Sequence, residues 1–320
     1  MACWTRGSQV TEAATEQSIA PVGDVPSASA GRSEWSAAWV ELRRKPLFWV
    51  SAVLIVIFVA MAVAPQLFTH TDPRYANLAD AFKKPSTHGP LFGMDRQGRS
   101  VYARTIYGAR ASLSVGLLAT VATTILGMIM GLLAGFFGGW VDAILQRIGE
   151  IFFTIPLLLG GILFLYKFPT SVDAPLIVQV LKIVFVLALL GWPNIARLMR
   201  GAVLQVKPSD YVQAAKALGA KPGRIIFSHI LPNALAPVIV VATINLGVYI
   251  AAEATLSFLG IGLQDPAISW GSDISDASGL GEITAAPHML LFPSLFLSLT
   301  VLAFILLGDA VRDAFDPKLR

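Results

Sequence analysis

The chain has 320 residues, of which 55% are hydrophobic and only 14% charged. A soluble domain carries about 25% charged residues, so a water-solvated globule is excluded and lipid is the expected solvent. The formal net charge of +4, from 24 Lys and Arg against 20 Asp and Glu, is too small and dispersed for a nucleic-acid groove. It does match the basic bias that holds the cytoplasmic loops of a membrane protein inside.

Residues 1–34 are rich in Ser, Thr, Ala, Gly and Glu and show no apolar periodicity, which predicts a disordered cytoplasmic tail. They lack the apolar core of a signal peptide. Cys3, the one cysteine, lies in this tail, so neither an intrachain disulfide nor a cysteine metal cluster is available. Ser33 reads as a helix N-cap. Trp35, Trp39 and Leu42 then share one face, with Arg43, Arg44 and Lys45 behind them, predicting an amphipathic surface helix over 35–46.

Residues 47–320 hold six apolar runs long enough to be read as membrane spans. These are Leu47 to Ala64, Ala111 to Phe137, Ile151 to Tyr166 (extendable toward Trp140), Ala174 to Trp192, Leu235 to Leu263 and Met289 to Gly308. Six spans put both termini in the cytoplasm, and the Arg43–Lys45 cluster fixes the first helix with its start inside. Pro65 to Arg110 and Gln264 to Pro287 then lie outside, although the first of these carries Arg74, Lys83, Lys84, Arg96, Arg99 and Arg104 against the charge rule. The fold class is therefore an all-α integral membrane protein.

The long cytoplasmic link, 197–233, has helical punctuation of its own. Ser209 is placed to cap a helix beginning at Asp210, and Gly219 suits the residue that ends it. Pro222 suits the first turn of a second helix, and Pro232 is expected to bar its continuation. Tyr211, Ala215 and Leu218 share a face of the first helix, where small alanines permit close approach by a partner groove.

This stretch resembles the coupling loop of ABC-importer permeases. Ala214, Ala215, Gly219, Ile230, Leu231 and Pro232 match its Glu-Ala-Ala, Gly, Ile-x-Leu-Pro pattern, with Gln213 in place of the glutamate. Gly93 to Ser100, Tyr107 to Leu113, Glu253 to Gly262, Ser269-Trp-Gly271 and Gly308 to Arg320 are similar to blocks of the C-type permease subunit of the dipeptide, oligopeptide and nickel group. The resemblance implies a type I six-span permease fold and a coupling role for Tyr211, Gln213, Ala214, Ala215, Leu218, Gly219, Ile230 and Pro232. It also implies a second homologous permease subunit, two ATPase subunits (identical or different) and an extracytoplasmic substrate-binding protein, in the bacterial cytoplasmic membrane. Di- and oligopeptides are the implied solutes, with nickel or another small solute as the alternative.

No phosphate-cradling G-x-x-x-x-G-K-[ST] loop occurs, so ATP and magnesium are expected on the partner ATPases, and this chain is expected to hold no cofactor and catalyse nothing. His70, His88, His229 and His288 lack metal-ligand spacing. An ion-driven secondary transporter is the rival reading, but the sequence shows no inverted repeat and would leave the docking link without a purpose.

Two further features lie inside spans. Gly127, Gly131 and Gly135 form a small-residue stripe suited to close helix packing. Lys182 and Glu253 both lie about 12–14 Å below the outer ends of their spans at 1.5 Å per residue. Charges there are costly, so the pair is expected to neutralise each other or to line the solute path.

Overall fold

A computed structural model describes residues 34–171 and 174–315. The expected tail and the Ser33 cap lie outside the described residues. All regular elements among the described residues are helices.

Helix α1 (Glu34–Arg44) turns Ala38 and Leu42 inward against Ala314 near the other end of the chain, and Lys45 beyond it donates to Asp313 at 2.9 Å. Part of the face expected on lipid is thus covered by protein, while Trp39 stays half exposed. Pro46 starts α2 (Pro46–Val63), where its missing N–H costs nothing.

Helix α3 (Val101–Phe137) is capped by Ser100, whose hydroxyl accepts from the Ala103 amide at 3.3 Å. It begins ten residues before the expected span, because Arg104 and Arg110 in its first turns find partners instead of ending it. Its 37 residues reach about 55 Å, more than a bilayer's hydrocarbon core.

The expected third span is a bent pair, α4 (Gly139–Thr154) and α5 (Leu157–Lys167), meeting at 80°. Pro156 forces the bend. It has no N–H to give, and it holds Ile155 extended at φ −80°, ψ 117°.

Helix α6 (Leu176–Val206) tolerates Pro193 and runs well past Trp192, so most of the expected link's first part belongs to it. Helices α7 (Asp210–Ala217) and α8 (Pro222–Ile225) follow as expected. Pro232 does not stop the chain: a π-helical turn over Ile226–Ile230 leads directly into α9 (Leu231–Phe258). The wider turn accommodates the ring, Pro232 falls in the first turn of α9, and Asn233 Nδ2 donates to the His229 carbonyl at 2.7 Å. The short helices α10 (Trp270–Asp276) and α11 (Leu280–Ala285) precede α12 (His288–Phe315).

Among the described residues five helical runs, α2, α3, α6, Pro222–Phe258 and α12, are long and apolar enough to cross a membrane, and the bent α4–α5 pair makes a sixth if it is one span. Their outer faces leave Val53, Val56, Leu163 and Leu291 more than half exposed, as lipid contact requires. The interior is built around α3, which packs along α6 and α9. A Cβ at Gly127 would lie 2.6 Å from Ile195 Cβ, one at Gly131 2.8 Å from Met199 Cβ, and one at Gly135 2.8 Å from Val203 Cβ. The glycine stripe is therefore the seam on which α6 lies.

Candidate functional site

Two regions at opposite ends of the helices gather the residues singled out in the sequence. The first is the α7–α8 hairpin. Gly219 ends α7 with φ +78°, a left-handed conformation that only glycine adopts without strain. Ser209 stands at the N-cap position, but its hydroxyl donates to the Val206 carbonyl at 2.6 Å instead of capping α7.

Gln213 Nε2 donates to the Lys207 carbonyl at 2.9 Å, tying α7 to the end of α6. The motif's glutamate has no N–H and could not make this bond. Lys207 Nζ in turn donates to the Phe136 carbonyl at 2.7 Å, joining the C-terminal ends of α6 and α3.

One side of α7 is anchored and the other is open. Val212 is buried in a cluster with Leu132 of α3, Met199 and Val203 of α6, and Ile225, Ile230 and Val238 from the α8–α9 run. Ile230 thus belongs to the anchor. Leu218 is 89% exposed and Tyr211 46%. With Ala214, Ala215, Gly219 and Arg224 they border an open concavity of about 670 Å³. Leu218 and Tyr211 thus leave an apolar edge of the hairpin uncovered.

At the other end, stretches of α2, α3, α9 and α10 converge. Trp270 is fully buried, its indole N–H donating to the Thr105 carbonyl at 2.8 Å and its amide meeting Ser112 Oγ at 3.3 Å. Phe58 of α2 packs edge-on against its ring. A Cβ on Gly271 would lie 2.5 Å from the Ala254 carbonyl, so glycine lets α10 close onto α9.

Glu253, fully buried, accepts from Ser257 Oγ at 2.7 Å, and Ser257 Oγ also accepts the Leu263 amide at 2.9 Å. The other carboxylate oxygen of Glu253 has no hydrogen-bond partner among the described residues. The expected Lys182–Glu253 pair does not form. Lys182 Nζ donates to the Phe168 carbonyl and to Thr170 Oγ1, closing the C-terminal end of α5. Its long stem reaches an orphan helix carbonyl, which a basic group satisfies well.

Most of the basic residues that oppose the charge rule in the expected outer loop are neutralised. Arg104 Nε donates to Asp273 at 2.8 Å in a buried pair, and Arg99 Nε to Asp95 at 2.5 Å. Asp276 receives both Arg99 and Arg96, while Lys83 pairs with Asp80 and holds its carboxyl below the usual range. Burial pushes the Asp273 carboxyl up, against the pull of Arg104. Sequence reading named Arg99 and Arg104 only as exceptions to orientation. Their pairing partners, Asp273 and Asp276, carried no signal except an excess of outer acids in the second loop.

The family model described as the binding-protein-dependent transport system inner membrane component matches residues 123–320. A second, the N-terminal TM domain of oligopeptide transport permease C, matches residues 33–85. The chain is 38% identical to the oligopeptide transport system permease protein OppC of Bacillus subtilis over 306 residues, 95% of this chain and 97% of the relative. It is 38% identical to the dipeptide transport system permease protein DppC of Alkalihalophilus pseudofirmus over 90% of this chain and 91% of that one. The glutathione transport system permease protein GsiD of Escherichia coli is 34% identical over 90% and 92%. A solved structure of the MetNI methionine ABC transporter gives a TM-score of 0.49 at 21% identity, covering 65% of this chain and 96% of that one. With an apolar multi-span body, an exposed α7–α8 hairpin and relatives matched over nearly their whole length, the chain belongs to the binding-protein-dependent transport system inner membrane component family.

Proposed function

We propose that this membrane subunit is a permease for di- and oligopeptides, forming half of an ATP-driven import path. The transport names of the oligopeptide and dipeptide relatives support the solute class. A second homologous permease subunit completes the path, two ATPase subunits hold ATP and magnesium, and an extracytoplasmic binding protein delivers the peptide. Both termini lie in the cytoplasm, with the α4–α5 pair serving as the sixth crossing.

The uncovered face of α7 carries this reading. Closure of an ATPase pair would push on Tyr211, Ala214, Ala215 and Leu218. Val212, on the opposite side, is packed into the cluster that joins α3, α6 and α9. Dense apolar packing transmits displacement without absorbing it, so the hairpin acts as a lever on the helices that surround the path.

A photo-crosslinking residue placed at Leu218 tests this directly. It should capture the ATPase subunit in the assembled complex, whereas the same residue at Leu280, exposed on the opposite side, should not. Capture from Leu280 and none from Leu218 would rule the docking role out. Uptake assays with a dipeptide, an oligopeptide and nickel ion in parallel vesicles then decide the solute class.

A further inference from the structure

The outer end of the molecule holds an open cleft of about 560 Å³ between the first outer loop, α3, the start of α6 and the loop before α10. Its polar lining includes His70, Asp72, Arg74, Tyr107 and Arg110, and its apolar wall is formed by Ala111, Pro175, Pro266, Ala267 and Ile268. Clefts of 300–1,000 Å³ with an apolar wall and a few convergent polar groups are the usual form of a small-molecule site.

The charge in this cleft is what sets it apart. Lys83, Arg96, Arg99 and Arg104 each have a carboxylate partner. Arg74 and Arg110 have none among the described residues. Arg74 Nη2 donates to the Pro266 carbonyl at 3.2 Å, and Arg110 donates from Nε and Nη2 to the carbonyls of Ala62 and Val63 at 3.0 and 3.3 Å. Carbonyls fix both guanidinium groups without cancelling their charge. Arg74 keeps its Nε and Nη1 edge free, and Arg110 keeps Nη1. Asp72 uses one oxygen to accept the Arg74 amide at 2.9 Å, and it is the only acid in the lining among the described residues. Two guanidinium groups without a carboxylate partner among the described residues thus line one cleft.

We propose that this cleft binds the C-terminal carboxylate of a short peptide, with Arg74 and Arg110 as the carboxylate donors and the proline–alanine wall against the last side chain. Guanidinium groups suit the task because their forked N–H groups match a carboxylate. The site rests on the peptide reading above and names the part of the peptide that it recognises.

The test uses the assembled permease–ATPase complex in nanodiscs, without the binding protein. Trialanine and its C-terminal amide are titrated into wild type, Arg74→Gln, Arg74→Lys and the double variant Arg74→Gln with Arg110→Gln. Wild type should bind the acid about tenfold more tightly than the amide, the scale of one charge-assisted hydrogen bond. Arg74→Gln, on an exposed loop and harmless to folding, should shrink that preference severalfold, Arg74→Lys should recover part of it, and the double variant should lose it. Equal binding of acid and amide by wild type, no binding of either, or a preference that survives the double variant would overturn the proposal. So would an undiminished preference in Arg74→Gln combined with weaker docking of the binding protein, added to the same nanodiscs in a separate arm, which would assign the cleft to an acidic protein surface. ATP-driven uptake of trialanine by wild type is measured separately. If uptake fails while the acid preference holds, the import reading falls and the carboxylate site stands.

Discussion

At Gly219 the backbone sits at φ +78° and nothing lies within 4 Å of where a Cβ would be. Substitution there is therefore a clean conformational test. Gly219→Val should cost at least about 1 kcal/mol locally, shift the exposed end of α7 and weaken ATPase co-purification while membrane insertion stays normal. Arg104 and Asp273 offer the opposite case, a buried pair whose members fail separately. Arg104→Gln should destabilise the chain by about 3–5 kcal/mol, because it leaves the Asp273 carboxyl buried without its cation. A double-mutant cycle, read by thermal unfolding in detergent, should return a coupling energy above about 1 kcal/mol. The same cycle on Lys182 and Glu253 should return none, since Lys182 serves the α5 terminus and Glu253 serves Ser257.

At the scale of elements, the α3–α6 seam is the feature most sensitive to volume. Gly131→Val should overpack it by about 1–3 kcal/mol, and the lost stability should appear as faster aggregation on heating the purified complex. The sequence made this seam legible because a four-residue glycine repeat has one geometric use in a membrane helix. The α7–α8 hairpin was legible for a similar reason: Gly219 and Pro222 each admit few backbone conformations. The Pro156 bend and the passage through Pro232 were not. Proline lowers the odds of a straight helix at both places, but whether the chain bends by 80° or absorbs the ring in a π turn depends on the neighbours it packs against. The pairing expected for Lys182 failed on a different ground. Matching depth along two helices says nothing about which faces those helices turn toward each other.

For the whole molecule, the two charged ends do different work. At the end opposite the hairpin, carboxylates neutralise Arg96, Arg99 and Arg104 and lock the long loops onto α3 and α10. At the hairpin end, Lys207 and the Asp142–Arg200 pair bind α3, α4 and α6 into one block beneath α7. Single cysteines at Ser86 and Ser278 should label with an impermeant thiol reagent from outside intact cells, and one at Ala217 should not. Labelling at Ala217 alone would mean the chain is inverted.

The most direct measurement of the central claim is peptide uptake by inside-controlled vesicles carrying the assembled complex and its binding protein, with ATP supplied or withheld on the ATPase side. Uptake should require ATP, persist when ion gradients are collapsed, and fall severalfold in Gly219→Val at equal amounts of inserted protein. Uptake that survives without ATP and disappears with the ion gradient would contradict the account.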